Sequence, residues 1–237
     1  MRTIELRRVA PFATMAPAEL VAIAAVARLY NYRHGARLFR AGDAVTSVTI
    51  VLDGFVRLSR ATPHGEEVTT AIVRPGGLAA VAALRGRATH DDAAEAIGRV
   101  RTVELPALTL LGLACRSPRL FAELAQCLVA RVDDAYLGAA TDSEGQLPSR
   151  VLHTLRHLAR PIPAASAADA MCPLAVRLSH AEVARLVGAD RSTVTRLLRS
   201  LAERGLVRRE RGHVIGVVLS ADEKSAREEP GRRMIPV

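Results

Sequence analysis

The apolar positions of this chain change period twice, and the changes divide it. Over Ala16–Ala27 (APAELVAIAAVA) they recur at helical spacing, with Pro17 near the start, where proline is tolerated. From residue 28 to 105 the pattern predicts short strands: Arg37–Arg40, Val48–Leu52, Phe55–Arg60, Glu67–Val73, Ala94–Ile97 and Val100–Leu105. Gly35, Gly42, Gly54, Gly65, Gly76, Gly77 and Gly86 punctuate them, mostly at intervals of roughly 7–12 residues, as in an antiparallel barrel or sandwich. Pro63-His64-Gly65 predicts a hairpin tip.

From Leu108 the period is helical again. A long helix is predicted to open at Ser117-Pro118. Leu120, Phe121, Leu124, Ala125, Leu128, Val132, Ala135 and Tyr136 share one arc of it, and Arg119, Glu123, Gln126, Asp133 and Asp134 lie opposite. The apolar arc is wide enough to touch two surfaces, and Arg131 is the one charge that falls within it. The helix should weaken over Gly138–Gly145 and restart near Pro148. The expected divisions are therefore 1–116, 117–147, 148–219, and a mobile tail from 220 to 237 without apolar period.

The stretch from Arg177 to Val218 has the marks of a helix-turn-helix. Ser179 and Glu182 form a capping-box pattern opening a helix over His180–Leu186. Gly188 suits a tight left-handed turn, Asp190 stands where a cap belongs, and a second helix runs from Arg191 to about Arg204 before Gly205. On that second helix Val194, Leu197, Leu198 and Leu201 share one face. Arg191, Ser192, Thr195, Arg196 and Arg199 share the other. Such a helix can lock onto a core and still offer guanidinium groups to guanine O6/N7 and hydroxyls to base edges. Residues 206–218 predict a β-hairpin, a basic wing carrying Arg208, Arg209 and Arg211.

Charge agrees with this placement. The 237 residues hold 33 basic and 24 acidic side chains, a net +9. Residues 1–149 carry 17 basic and 15 acidic groups, whereas residues 150–237 carry 16 and 9. The excess lies in the last third, where a polyanion-binding module would put it. The apolar run Leu105–Cys115 is too short to span a membrane, and no signal-peptide pattern opens the chain, so a cytoplasmic protein without membrane association is expected. Cys115, Cys127 and Cys172 have neither disulfide nor zinc spacing. His153 and His157 lack a third ligand nearby, so no metal or cofactor is expected. None of the GxxxxGK[ST], HExxH, GxSxG and GxGxxG patterns occurs, and no enzyme is expected.

These segments together resemble the cyclic-AMP receptor protein/fumarate-nitrate regulator (Crp/Fnr) family of bacterial transcription factors. FRAGD (39–43), IVLDGFVRL (50–58), HGEEV (64–68) and RPGG (74–77) are similar to its β-roll, and residues 178–207 to its helix-turn-helix. The resemblance implies an α+β protein: an N-terminal jelly-roll β-roll, a long dimerisation helix and a C-terminal winged helix-turn-helix. It also implies a homodimer on a palindromic operator, with RNA polymerase as a further partner. The dimer seam would hold Leu120, Leu124, Leu128, Val132, Ala135 and Tyr136. Arg191 and Arg196 fall where relatives read bases, with Ser192 and Thr195 beside them. Ser192 departs from a glutamate common at its position, which removes a charge-assisted contact to cytosine. Phosphate contacts are expected from Ser179, His180, Thr193, Arg199, Arg208, Arg209 and Arg211.

The effector pocket departs further. Cyclic-nucleotide-binding members place a glutamate after the glycine turn and an Arg-Ser pair beyond it. Here the first stretch is Gly77-Leu-Ala-Ala-Val-Ala, and the second position falls near His90-Asp91. Burying a cyclic phosphate without an arginine would cost several kcal/mol. A degenerate pocket is expected around Gly77, Ala80, Val81, Arg85, Arg87 and His90, without cyclic AMP in the usual mode. His90-Asp91-Asp92 is expected to be a solvated loop. Two alternatives stay open: the same fold gated by a non-standard small ligand or nucleotide, and a protein-interaction module whose basic C-terminus is incidental.

Overall fold

The computed structural model describes Leu6, Arg7, Val9, Phe12, Ala13 and residues 15–139, 147–160 and 171–219, with the side chains of 133–139 excepted. The expectations for the Ala135 and Tyr136 side chains, for the hinge beyond residue 139 and for the tail lie outside these residues. The chain divides into two compact units, Met1–Ala140 and Thr141–Val237.

The first unit opens with helix α1 (Pro17–Val26), in which the Glu19 carboxylate accepts from the Ala16 N–H at 3.0 Å and Leu20 and Ile23 turn inward. An antiparallel sheet follows: β1 (Arg28–Tyr32), β2 (Arg37–Phe39), β3 (Ser47–Ala61), β4 (Glu67–Val73), β5 (Leu78–Ala80) and β6 (Ala93–Pro106). The main order is β1-β6-β3-β4, with β2 also on β6 and β5 also on β3. Two predicted pairs of strands are thus single long strands. The glycine between Leu52 and Phe55 makes a bulge, not a turn. Register slips on either side of Asp53, Gly54 takes φ +76°, and its N–H donates to the Asp53 carboxylate at 2.9 Å. A Cβ there would sit 2.2 Å from the Arg99 carbonyl oxygen, so only glycine fits and the strand can bend without breaking. β1 and β5 have no clear alternation, and the sequence pattern did not reveal them.

Helix α2 (Ala107–Ala114) and the long α3 (Pro118–Ala139) follow β6. One core gathers Phe12, Leu20, Ile23, Ile50, Leu78, Val103, Leu105, Leu110, Leu120 and Leu124. A second lies within the sheet around Val51, Val56, Leu58, Val73 and Val100. Between its strands Arg57 is fully buried. Its Nε donates to Thr69 Oγ1 at 2.9 Å, and its guanidinium lies 3.2 Å from Glu67 and 3.9 Å from Glu95.

The second unit comprises α4 (Leu147–His157), β7 (Met171–Ser179), α5 (His180–Val187), α6 (Arg191–Glu203), β8 (Val207–Glu210) and β9 (His213–Val218). Its sheet runs β7-β9-β8, so the predicted hairpin gains a third strand from the segment before α5. Val151, Leu155, Val183, Val194, Leu198, Leu201 and Val214 are fully buried. Each helix of the unit therefore gives one apolar face to a common interior.

Candidate functional site

The helix-turn-helix is built from local chemistry. Ser179 Oγ accepts from the Glu182 N–H at 3.3 Å, and the Glu182 carboxylate accepts from the Ser179 N–H at 2.7 Å, closing the capping box. Gly188 takes φ +63° and the chain reverses. The Ala189 N–H donates to the Ala184 carbonyl at 3.0 Å. Asp190 stands at the N-cap of α6, but its side chain makes no capping bond. The helix starts when the Asp190 carbonyl accepts from the Val194 N–H at 3.0 Å. The capping expected of that carboxylate is therefore corrected.

α6 is polarised as its pattern requires. Val194, Leu198 and Leu201 are fully buried, while Arg191, Ser192, Arg196 and Arg199 are exposed. Thr193 and Thr195 are half-buried. The Thr195 hydroxyl lies 3.2 Å from His180 Nδ1, a link that joins the start of α5 to the face of α6. Burial pushes the His180 imidazole below its ordinary pKa, and the Arg209, Arg191 and His213 charges push the same way. Ser179 serves first as a helix cap. In the wing, Arg208 and Arg211 are exposed and Arg209 is half-buried. Arg211 turns the hairpin at φ +48°, and Arg177 pairs with Glu210 at 2.6 Å. One surface of the unit thus presents guanidinium groups from α6 and from the hairpin.

The sheet unit holds a cavity of about 630 Å³. Of the residues expected at a degenerate pocket, Ala80, Val81, Arg85 and His90 line it; Gly77 and Arg87 do not. Gly77 belongs to the turn before β5, where its carbonyl accepts from the Val51 N–H at 3.0 Å and a Cβ would meet Val73 at 2.7 Å. Arg87 points instead to Asp91, at 3.0 Å. The solvated-loop reading of residues 90–92 is corrected too. The His90 ring stacks on Phe39 with centroids 3.8 Å apart, and burial pushes its pKa down against the pull of Asp43, Asp91 and Asp92. Asp92 is largely buried, 3.0 Å from Arg60 of β3 and 3.6 Å from Arg131 of α3. Arg60, Asp91, Asp92 and Arg131 were not anticipated as cavity residues. The available signal was Arg131, the one charge on the apolar arc of its helix.

On α3 that arc is split. Leu120 and Leu124, expected at a dimer seam, are 0% and 6% exposed and belong to the core of their own unit. Phe121, Leu128 and Val132 of the arc remain outward at 63%, 37% and 54% exposure, with Val129 beside them at 59%. Leu120 and Leu124 are therefore withdrawn from the expected seam, since a side chain already enclosed by its own fold has no surface to offer a partner. Among the described residues no helix is long and apolar enough to cross a membrane.

Comparison with known proteins converges on one family. Residues 29–116 match the cyclic nucleotide-binding domain family and residues 149–219 the Crp-like helix-turn-helix domain family. The cyclic AMP receptor protein of Thermus thermophilus is 32% identical over 177 residues, covering 75% of this chain and 78% of that protein. The global nitrogen regulator of Synechococcus elongatus is 28% identical over 186 residues, covering 76% and 81%. The crystal structure of a CRP/FNR-family transcriptional regulator from Thermus thermophilus superposes with a TM-score of 0.62 at 27% identity, covering 86% of this chain and 100% of that one. With a DNA-binding helix-turn-helix behind a cyclic-nucleotide-binding-type sheet domain, the chain belongs to the Crp/Fnr family of transcriptional regulators.

Proposed function

We propose that two copies of the chain pair along α3 and offer two α6 helices to adjacent major-groove turns of a palindromic operator, about 34 Å apart. The observation that carries this reading is the polarity of α6: its apolar side is buried while Arg191, Ser192, Arg196 and Arg199 stand clear. In this reading Arg191 and Arg196 read guanines. Thr193, Arg199 and the wing arginines hold phosphates and set the register. Phe121, Leu128, Val129 and Val132 supply the apolar dimer stripe, which would otherwise stay in water. RNA polymerase is a further partner if the bound dimer acts as an activator.

The regulator works without cyclic AMP held in the family's usual way. A cyclic phosphate entering the cavity would meet Asp91 and Asp92, whose carboxylates already engage the nearby guanidinium groups. A second form of the reading, a small ligand of another kind gating DNA affinity, is favoured by the size of the cavity and its lining of Ala79, Ala80, Val81, Leu128 and Val132.

The test is binding of the purified chain to promoter fragments and to scrambled DNA across a salt series, with mass measured by light scattering. A dimer with a large preference for one palindromic sequence is expected. Equal affinity for all DNA, or a monomer under binding conditions, would refute the proposal. A large rise in melting temperature with cyclic AMP would overturn the statement about the cavity.

A further inference from the structure

Two arginines from different layers of the sheet unit converge on one carboxylate. Arg60 projects from β3, and both its Nε and its terminal nitrogen reach Asp92 Oδ1, at 3.1 and 3.0 Å. Arg131 projects from α3 and lies 3.6 Å from Asp92 Oδ2. The Thr70 hydroxyl of β4 is 3.5 Å from Oδ1, a long contact. Arg131 also donates to the Leu78 carbonyl of β5 at 3.3 Å, which fixes its guanidinium over the sheet. The Asp92 and Arg131 side chains are 15% and 22% exposed, so water screens that pair poorly, while Arg60, 57% exposed, closes the cluster from the solvent side. Two guanidinium groups closing on one set of oxygens form the arrangement by which proteins hold carboxylates and phosphates from outside. Here the oxygens belong to the chain, and they lie at the wall of the 630 Å³ cavity.

We propose that Asp92 is a built-in anionic ligand: it fills the site between Arg60 and Arg131 that a small carboxylate or phosphate would otherwise occupy, and so docks α3 on the sheet permanently. This rests on the reading of the chain as a DNA-binding regulator paired through α3, and it adds how that activity is set. The position of α3 decides where its outward stripe meets a second copy. A tether supplied by the chain therefore holds the protein in one state without an effector. Neighbouring charges support the assignment. Asp91 engages Arg85 and Arg87 at 3.6 and 3.0 Å, which leaves Asp92 to serve the Arg60–Arg131 site.

The experiment removes the internal anion and supplies an external one. Asp92→Ala and Asp92→Ser are compared with the wild type in chloride and with acetate, or inorganic phosphate, replacing chloride at fixed ionic strength. Melting temperature is read without DNA, and affinity for operator DNA separately. The wild type gives the baseline shift that the exchange causes in any folded protein, against which the variants are read. Asp92→Ala should melt about 2–4 °C lower and bind operator at least about fivefold more weakly, and acetate or phosphate should return at least half of both losses. The double variant Asp92→Ala/Arg131→Gln should gain nothing from either anion. Unchanged melting in both single variants, a loss that neither anion repairs, or equal repair in the double variant would overturn the proposal. Repaired melting with unaltered operator affinity would overturn its regulatory part. A wild type that binds no DNA would sink the functional reading instead, with the clasp decided by the melting data.

Discussion

The arginines around the sheet unit's cavity and those on the face of α6 live in opposite circumstances. In the sheet unit Arg57 is enclosed with Glu67 and Glu95, Arg60 and Arg131 share Asp92, and Arg85 and Arg87 share Asp91. In the helix-turn-helix unit Arg191, Arg196 and Arg199 stand exposed on one face of α6. An arginine whose counter-charge is internal shapes the fold or its state. An arginine held out on a rigid helix serves a partner that brings its own negative charge. The same residue type, abundant throughout this chain, therefore means two different things, and substitution separates them.

The largest effect is expected at Arg57. Arg57→Ala leaves the Glu67 and Glu95 carboxylates without the buried cation and should lower folding stability by about 3 kcal/mol, read by chemical denaturation of the full chain. The Ser59 hydroxyl, and after it Arg57, hold the Glu67 carboxyl below its usual pKa. That contribution is complete above the ordinary glutamate value and fades as the pH falls through the depressed one. A variant as stable as the wild type would show that the internal ion pairs do not support the sheet.

Next come the arginines of α6 and the hairpin. Arg191→Ala and Arg196→Ala should each cost ~1–3 kcal/mol of operator affinity and relax the preference at one base pair, with the melting temperature unchanged. Arg209→Ala should weaken operator and random DNA alike and lower the salt slope by about 1. Equal losses on operator and random DNA for all three variants would reduce α6 to a nonspecific cationic surface.

The smallest effect concerns His180, where burial and the Arg209, Arg191 and His213 charges depress the imidazole pKa in the free protein. In the proposed interface, DNA phosphates would neutralise those neighbours and raise the value again. The bound state then takes up a proton, and affinity should grow as the pH drops from neutrality through the depressed value, a small multiple at most. His180→Gln should flatten the profile relative to the wild type. Identical profiles would remove His180 from the interface.

Much of this arrangement was legible in sequence. The capping box at Ser179, the turn at Gly188 and the two-faced pattern of residues 191–204 act within a few residues of one another, so sequence and structure agree there. Dividing the arc of α3 was not possible from its periodicity. Leu120 and Phe121 both fall on the apolar arc of a helical wheel, yet one is enclosed in the core of its unit while the other faces out. Gly54 likewise reads as a turn, because only the pairing of β3 with β6 across it makes it a bulge.

What the sequence determined alone is what local chemistry and periodicity can encode: the presence of helices and strands, the second helix of the helix-turn-helix with its arginines outward, and the basic C-terminal third. The tertiary structure decided which charges meet. Arg60, Asp92 and Arg131 are separated by dozens of residues, and nothing in the sequence marks Asp92 until three elements bring it between two guanidinium groups. Coulomb interactions depend on distance through space, and that distance exists only once the chain has folded.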